Sequence, residues 1–255
     1  MTLLLHGFMG SGADWAGVRA QLRIEGPFLT PDLPGHGEAV ELEPEAYSLD
    51  SAVDALADLL DGPAVVAGYS MGARVALHLA VRHPDRVGAL VLVSGSPGLR
   101  TDDERAARRQ LDARRAAEIT DDFAAFLDAW YRAPLWSGLS DALRVWLLTW
   151  RLENDPAELA KALDGMGVGQ QPSYWDALAD LHCPVWALAG VRDDKYLQLL
   201  KEMAEAGPVQ PVVVPDAGHA LLVEAPEAVA DAIALAHGSN ARTVAFPSPP
   251  PTSTD

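Results

Sequence analysis

The sequence predicts an α/β fold, a mostly parallel sheet flanked by helices, on three observations. Short runs of small and β-branched apolar residues alternate with amphipathic stretches at helical spacing through residues 1–98. One such run passes through Gly68-Tyr69-Ser70-Met71-Gly72 straight into a helical pattern. The alternation then stops, and residues 99–171 carry only helical patterns before strands resume. A chain of 255 residues can bury a substantial core as one large domain.

Taken in order, residues 2–5 (TLLL) form the first strand and run into His6-Gly7-Phe8-Met9-Gly10. A helix over 13–22 follows, with Trp15, Val18 and Leu22 on one face. Residues 27–30 are a short second strand, ended by the turn-rich Pro31-Asp32-Leu33-Pro34-Gly35-His36-Gly37. An amphipathic helix over 49–60 leads to a third strand at 64–67. The helix after Gly72 carries Val75, Ala76, Leu79 and Ala80 at core spacing, and ALVLV at 89–93 is the fourth strand. In the helical stretch, Thr101 with Glu104 is a capping box, and further helices read over 122–131, 140–152 and 156–163. Trp146 and Trp150 are expected in the core of that stretch. Strands at 184–189 and 211–214 flank a helix over 194–205, and Pro226 opens a helix over 226–237. The organisation predicted is a core at 1–98, a helical lid at 99–171, the rest of the core at 172–238, and a disordered Pro/Ser/Thr-rich tail at 239–255.

Charge and cysteine content exclude several classes. Lys and Arg number 19 against 36 Asp and Glu, a net charge of −17, which argues against nucleic acid or an anionic membrane as partner. An anionic substrate would need arginines concentrated locally. The single cysteine, Cys183, permits no internal disulfide and no cysteine-rich metal site, and suits a reducing cytoplasm. The first residues lack the basic region of a signal peptide, and no apolar run approaches the ~20 residues that span a bilayer. The expectation is a cytoplasmic protein, a monomer or weak homo-oligomer, with a small-molecule substrate and neither metal nor cofactor.

Strand, Gly-x-Ser-x-Gly and helix together describe a nucleophile elbow, which places Ser70 at a helix N-terminus. A serine hydroxyl needs a base and an orienting acid. His219 lies directly after the last strand and Asp193 after the one before it, in the chain order this arrangement uses. Asp194 and Asp216 are rivals for the acid. An oxyanion hole needs two backbone amides, and Met71 and Phe8 are the natural pair. His6 and His36 read as hydrogen-bonded structural histidines, His78 and His83 have no evident partner, and Cys183 reads as a small apolar residue.

These segments resemble the α/β-hydrolase superfamily over nearly the whole chain. A narrower resemblance is carried by Gly68-Tyr69-Ser70-Met71-Gly72 with Arg74, Ser96-Pro97-Gly98-Leu99 with the arginine-rich helix, Trp130-Tyr131, and Gly169-Gln170-Gln171-Pro172-Ser173. It points to the menaquinone-pathway synthases that make 2-succinyl-6-hydroxy-2,4-cyclohexadiene-1-carboxylate. That family eliminates pyruvate from an enolpyruvyl precursor bearing three carboxylates, a lyase on a hydrolase scaffold without cofactor. The resemblance implies substrate contact for Tyr69, Arg74, Arg108, Trp130 and Arg151. Arginine forks suit carboxylates, and Arg105, Arg108 and Arg109 share a helix face. The chain departs from the family at Ala73, where a second glycine is usual. It also starts at what would be the third strand, so the first two strands of the usual sheet are expected to be missing and one edge bare. The competing readings are a serine carboxylesterase or related hydrolase of a small anionic substrate, which the triad suits equally, and a non-catalytic binder, which would have no reason to keep it.

Overall fold

The computed structural model describes residues 1–243. Its six strands are β1 (Thr2–Leu5), β2 (Phe28–Leu29), β3 (Ala64–Tyr69), β4 (Val87–Val93), β5 (Val185–Gly190) and β6 (Val209–Val214), in the order β2-β1-β3-β4-β5-β6. Every pairing is parallel. β1 and β3 are buried at every position, which is why both read as unbroken apolar runs. Alternate residues feed opposite layers: Leu3, Leu5 and Val66 pack on one face, Leu4, Val65 and Ala67 on the other.

The first layer is built from α2 (Leu49–Asp58), α3 (Met71–Arg82) and α8 (Asp194–Ala206), the second from α1 (Ala16–Gln21), α9 (Leu221–Glu224) and α10 (Pro226–Thr243). Between β4 and β5 lie α4 (Asp102–Asp121), α5 (Phe123–Arg132), α6 (Asp141–Arg151) and α7 (Pro156–Met166), with their own core around Ile119, Leu127 and Leu159. The capping box at Thr101 and Glu104 is formed in both directions.

Four expectations change. The helix foreseen over 13–22 opens as a 3-10 turn, Gly12–Trp15, capped by Ser11. The second strand, expected over 27–30, is only Phe28–Leu29, and this two-residue β2 forms one edge of the sheet. α10 continues through Thr243, beyond the expected tail boundary after Gly238, while residues 244–255 of that tail lie outside the described residues. Trp146 and Trp150 face outward, 45% and 52% exposed, because α6 turns Leu147 and Arg151 inward instead.

Candidate active site

The elbow is a steric solution. A Cβ on Gly68 would sit 2.1 Å from the Gly72 carbonyl oxygen, and one on Gly72 would sit 2.1 Å from that of Leu5. Only glycine fits both places, so β3 can reverse into α3 within five residues. Ser70 takes up the turn with φ 52° and ψ −105°, a backbone that L-residues rarely adopt. Its amide donates to the Val93 carbonyl at 2.8 Å, which ties the tip to the end of β4.

The loops after β5 and β6 deliver the other two groups. The Arg192 amide donates to the Ala217 carbonyl at 2.9 Å, lashing the two loops together. Asp193 caps α8 by accepting from the Tyr196 amide, and its other oxygen accepts from His219 Nδ1 at 2.7 Å. A carboxylate only accepts, so Nδ1 carries the proton and Nε2 is left to accept from the Ser70 hydroxyl, 3.1 Å away. Both Asp193 and His219 are buried. Tyr196 lies 4.6 Å and Trp136 5.2 Å from the imidazole, centroid to centroid, and Ser94 Oγ donates to the His219 carbonyl. The histidine is thus held on its sides, its backbone and its Nδ1. Of the rival acids, Asp216 is exposed and pairs with Arg192 at 3.4 Å, and Asp194 lines the cavity without reaching His219.

Ser70 opens into a cavity of about 510 Å³ between the sheet's C-terminal end and the helices that follow β4. Met71 and Phe8 line it beside the serine. The Met71 amide opens α3 and so has no partner one turn back. Its lining is cationic: Arg74, Arg108, Arg115, Arg192 and Lys195 all reach it. Arg74 is buried yet pairs with no carboxylate among the described residues, donating instead to the Met166 carbonyl at 2.9 Å. Burial draws its pKa down to about 10, which leaves it charged at neutral pH. Trp130 stands against Phe8 and Phe126, with its indole N–H buried and without a partner among the described residues.

Arg74, Arg108 and Trp130 therefore meet on one cavity. Tyr69 and Arg151 do not. The Tyr69 ring is buried under His219, and Arg151 forks onto Asp14 in an adjoining small pocket that also touches Tyr131 and Trp136. Arg105 and Arg109 turn to backbone carbonyls of Leu99 and Gly169, so the shared helix face does not serve the cavity as a whole. The reading of the sequence missed Arg115, Arg192 and Lys195. Arg115 carried a usable signal, seven positions beyond Arg108 and hence on the same side of the helix two turns later.

His6 and His36 are structural. His6 Nε2 accepts from the Leu33 amide at 2.9 Å, so Nδ1 donates to the Gly7 carbonyl, and the loop carrying Phe8 is fixed by both bonds. His78 and His83 do have partners, Asp50 and Asp54, each at 2.7 Å. The described residues hold no cluster of three metal-ligating side chains, and no helix among them is long and apolar enough to cross a membrane.

A model described as the alpha/beta hydrolase family matches residues 2–232. A putative 2-succinyl-6-hydroxy-2,4-cyclohexadiene-1-carboxylate synthase of Bacillus subtilis (strain 168) is 36% identical over 232 residues, 87% of this chain and 84% of that protein. The 2-succinyl-6-hydroxy-2,4-cyclohexadiene-1-carboxylate synthase of Enterobacter sp. (strain 638) is 33% identical over 237 residues, 91% and 89% of the two chains. Among solved structures, MenH from S. aureus superposes with a TM-score of 0.88 at 29% identity, covering 94% of each chain. A malate-bound thermophilic esterase from Thermogutta terrifontis gives 0.75 at 27% identity, covering 94% of this chain and 89% of the esterase.

Proposed function

The chain belongs to the alpha/beta hydrolase family and, within it, to the 2-succinyl-6-hydroxy-2,4-cyclohexadiene-1-carboxylate synthases; from that premise we propose that it is a lyase. It eliminates pyruvate from 2-succinyl-5-enolpyruvyl-6-hydroxy-3-cyclohexene-1-carboxylate, a step of menaquinone biosynthesis. Ser70, His219 and Asp193 are its catalytic groups. The absence of a membrane-spanning helix among the described residues fits the expected cytoplasmic setting.

Substrate and product names fix the bonds that change. The ring proton on the carbon bearing the succinyl ketone is lost, the ring double bond shifts, and the C–O bond to the enolpyruvyl group breaks to leave a 2,4-diene. In this mechanism His219 Nε2 takes the Ser70 proton as the serine oxygen takes the ring proton. Asp193 fixes the imidazole tautomer and offsets the charge it gains. The amides of Phe8 and Met71 hold the ketone oxygen as it becomes enolate-like. His219 then returns its proton to the departing enolpyruvate, which tautomerises to pyruvate. No acyl-enzyme forms. Arg74, Arg108 and Trp130 orient the carboxylates so that the proton lies against the serine.

The observation that carries this reading is the cationic lining of the cavity that Ser70 opens into, above all a buried Arg74 that pairs with no carboxylate among the described residues. A hydrolase of neutral esters would carry the cost of burying that charge for nothing. The test is pyruvate release from the enolpyruvyl cyclohexene substrate by wild type, Ser70→Ala and Arg74→Ala. Rapid release lost in both variants supports the lyase. Release no faster than in buffer, with Ser70-dependent cleavage of an aryl ester, makes the protein a carboxylesterase-type hydrolase instead.

A further inference from the structure

We infer that Arg115 is a carboxylate-binding residue of this cavity, the partner of Arg74 and Arg108, and that Asp112 positions it. The inference rests on the lyase reading, because that substrate brings three carboxylates to one site. Arg74 and Arg108 can meet two of them. Arg151 is engaged elsewhere, its two terminal nitrogens at 2.9 and 2.6 Å from the Asp14 carboxylate. A third cation is needed on the cavity wall itself.

Three side chains could supply it, and their surroundings separate them. Arg192 is half exposed and paired with Asp216. Lys195 is solvent-exposed over the Tyr196 ring, at the cavity's rim. Arg115 is held from two sides. Its guanidinium lies over the Trp130 ring at 5.3 Å, and Asp112 Oδ1 is 3.5 Å from its Nη1. That same Oδ1 accepts from Arg108 Nε at 2.7 Å. One buried carboxylate, a turn from each, thus gathers two guanidiniums that stand two turns apart on α4, leaving a surplus positive charge at the wall. Asp112 Oδ2 is buried with no partner among the described residues, so the carboxylate is not forked by either arginine. That long ion pair is its one carboxylate contact among the described residues, so Arg115 keeps most of its five donors for a ligand. The guanidinium rests over the ring of Trp130, and both residues line the cavity.

The experiment pairs kinetics with binding. Pyruvate release is measured for wild type, Arg115→Gln and Arg115→Lys, and each is titrated with 2-succinylbenzoate, an aromatic dicarboxylate with the product's skeleton. Loss of one charge-assisted contact should raise KM about tenfold while kcat falls by less than about threefold. Arg115→Gln should weaken 2-succinylbenzoate binding by a similar factor, and Arg115→Lys should recover part of both. Thermal melts establish that each variant is folded. An Arg115→Gln protein with wild-type KM and Kd overturns the inference, as does a wild type that binds no dicarboxylate. If the wild type releases no pyruvate, the lyase reading fails, and the titration alone still decides whether Arg115 holds a carboxylate.

Discussion

Arg151 lays both terminal nitrogens of its guanidinium on the carboxylate of Asp14, at 2.9 and 2.6 Å, and both side chains are almost closed off from solvent. The pair joins the last residue of α6 to the turn before α1, across 137 residues of sequence. Removing one member strands the other charge in a buried place, which costs about 3–5 kcal/mol, whereas replacing both by apolar groups can be close to neutral. Asp14→Ala should therefore lower the urea unfolding midpoint sharply, and Asp14→Leu with Arg151→Met should recover much of the loss. A single variant within about 1 kcal/mol of wild type would show that solvent reaches the pair.

Ser70 holds a backbone conformation that costs an L-residue roughly 1–3 kcal/mol. Ser70→Gly relieves that strain and Ser70→Ala does not, so the glycine variant should unfold at higher denaturant although neither turns over substrate. Gly72→Ala is the opposite case. Its methyl group would overlap the Leu5 carbonyl oxygen, and the variant should lose more than about 4 kcal/mol or fail to accumulate as folded protein. A Gly72→Ala melt close to wild type would mean that β1 can yield at the elbow.

How much of this was legible in the sequence depends on where the determinant lies. β1, β3 and β4 read plainly because a strand buried on both faces must be apolar at nearly every position. The elbow read plainly because two backbone contacts leave glycine no substitute. Asp193 and His219 were reachable from chain order, since strand ends bring their loops to one edge. What the sequence could not show is which way a helix face points once helices pack on one another. α6 is amphipathic either way round, and only the Asp14 partner explains why Arg151 goes in while Trp146 and Trp150 stay out. Arg115 shows the division within one residue: its i,i+3 spacing to Asp112 was readable in α4, but the contact with Trp130 of α5, which brings it to the cavity, was not.

The two histidines behind Phe8 make the fold acid-sensitive. Burial lowers the pKa of His6 to about 4, and burial with the neighbouring His6 lowers that of His36 to about 3. An unfolded histidine titrates near 6.5, so above that pH neither state binds the proton and the pair has no effect. As pH falls from 6.5 toward 4 the unfolded chain takes up protons that the native state refuses. Stability should drop by up to about 1.4 kcal/mol per pH unit for each histidine, and the His6 contribution should level off below about 4. Urea midpoints at pH 7, 6 and 5 check this. A flat series would mean that both rings take up protons in the native state as readily as in the unfolded chain.

Asp193 performs two tasks with its two oxygens, and substitution can separate them. Oδ1 caps α8 by accepting from the Tyr196 amide, and Oδ2 accepts from His219 Nδ1. Asparagine is as good an N-cap as aspartate, so Asp193→Asn should keep the fold to within about 1 kcal/mol. It carries no charge, however, and its amide can present a donor where Nδ1–H needs an acceptor. The imidazole would then favour the tautomer with its proton on Nε2, facing Ser70, and could not take the serine proton. Pyruvate release by Asp193→Asn should fall by about 10³–10⁴-fold with a nearly unchanged melting temperature. Asp193→Ala should lose the same activity and a further ~1 kcal/mol of stability, from the missing cap. Activity surviving in Asp193→Asn would transfer the orienting role to Asp194, the neighbouring carboxylate on the cavity wall, and a double substitution would then be needed to silence the enzyme.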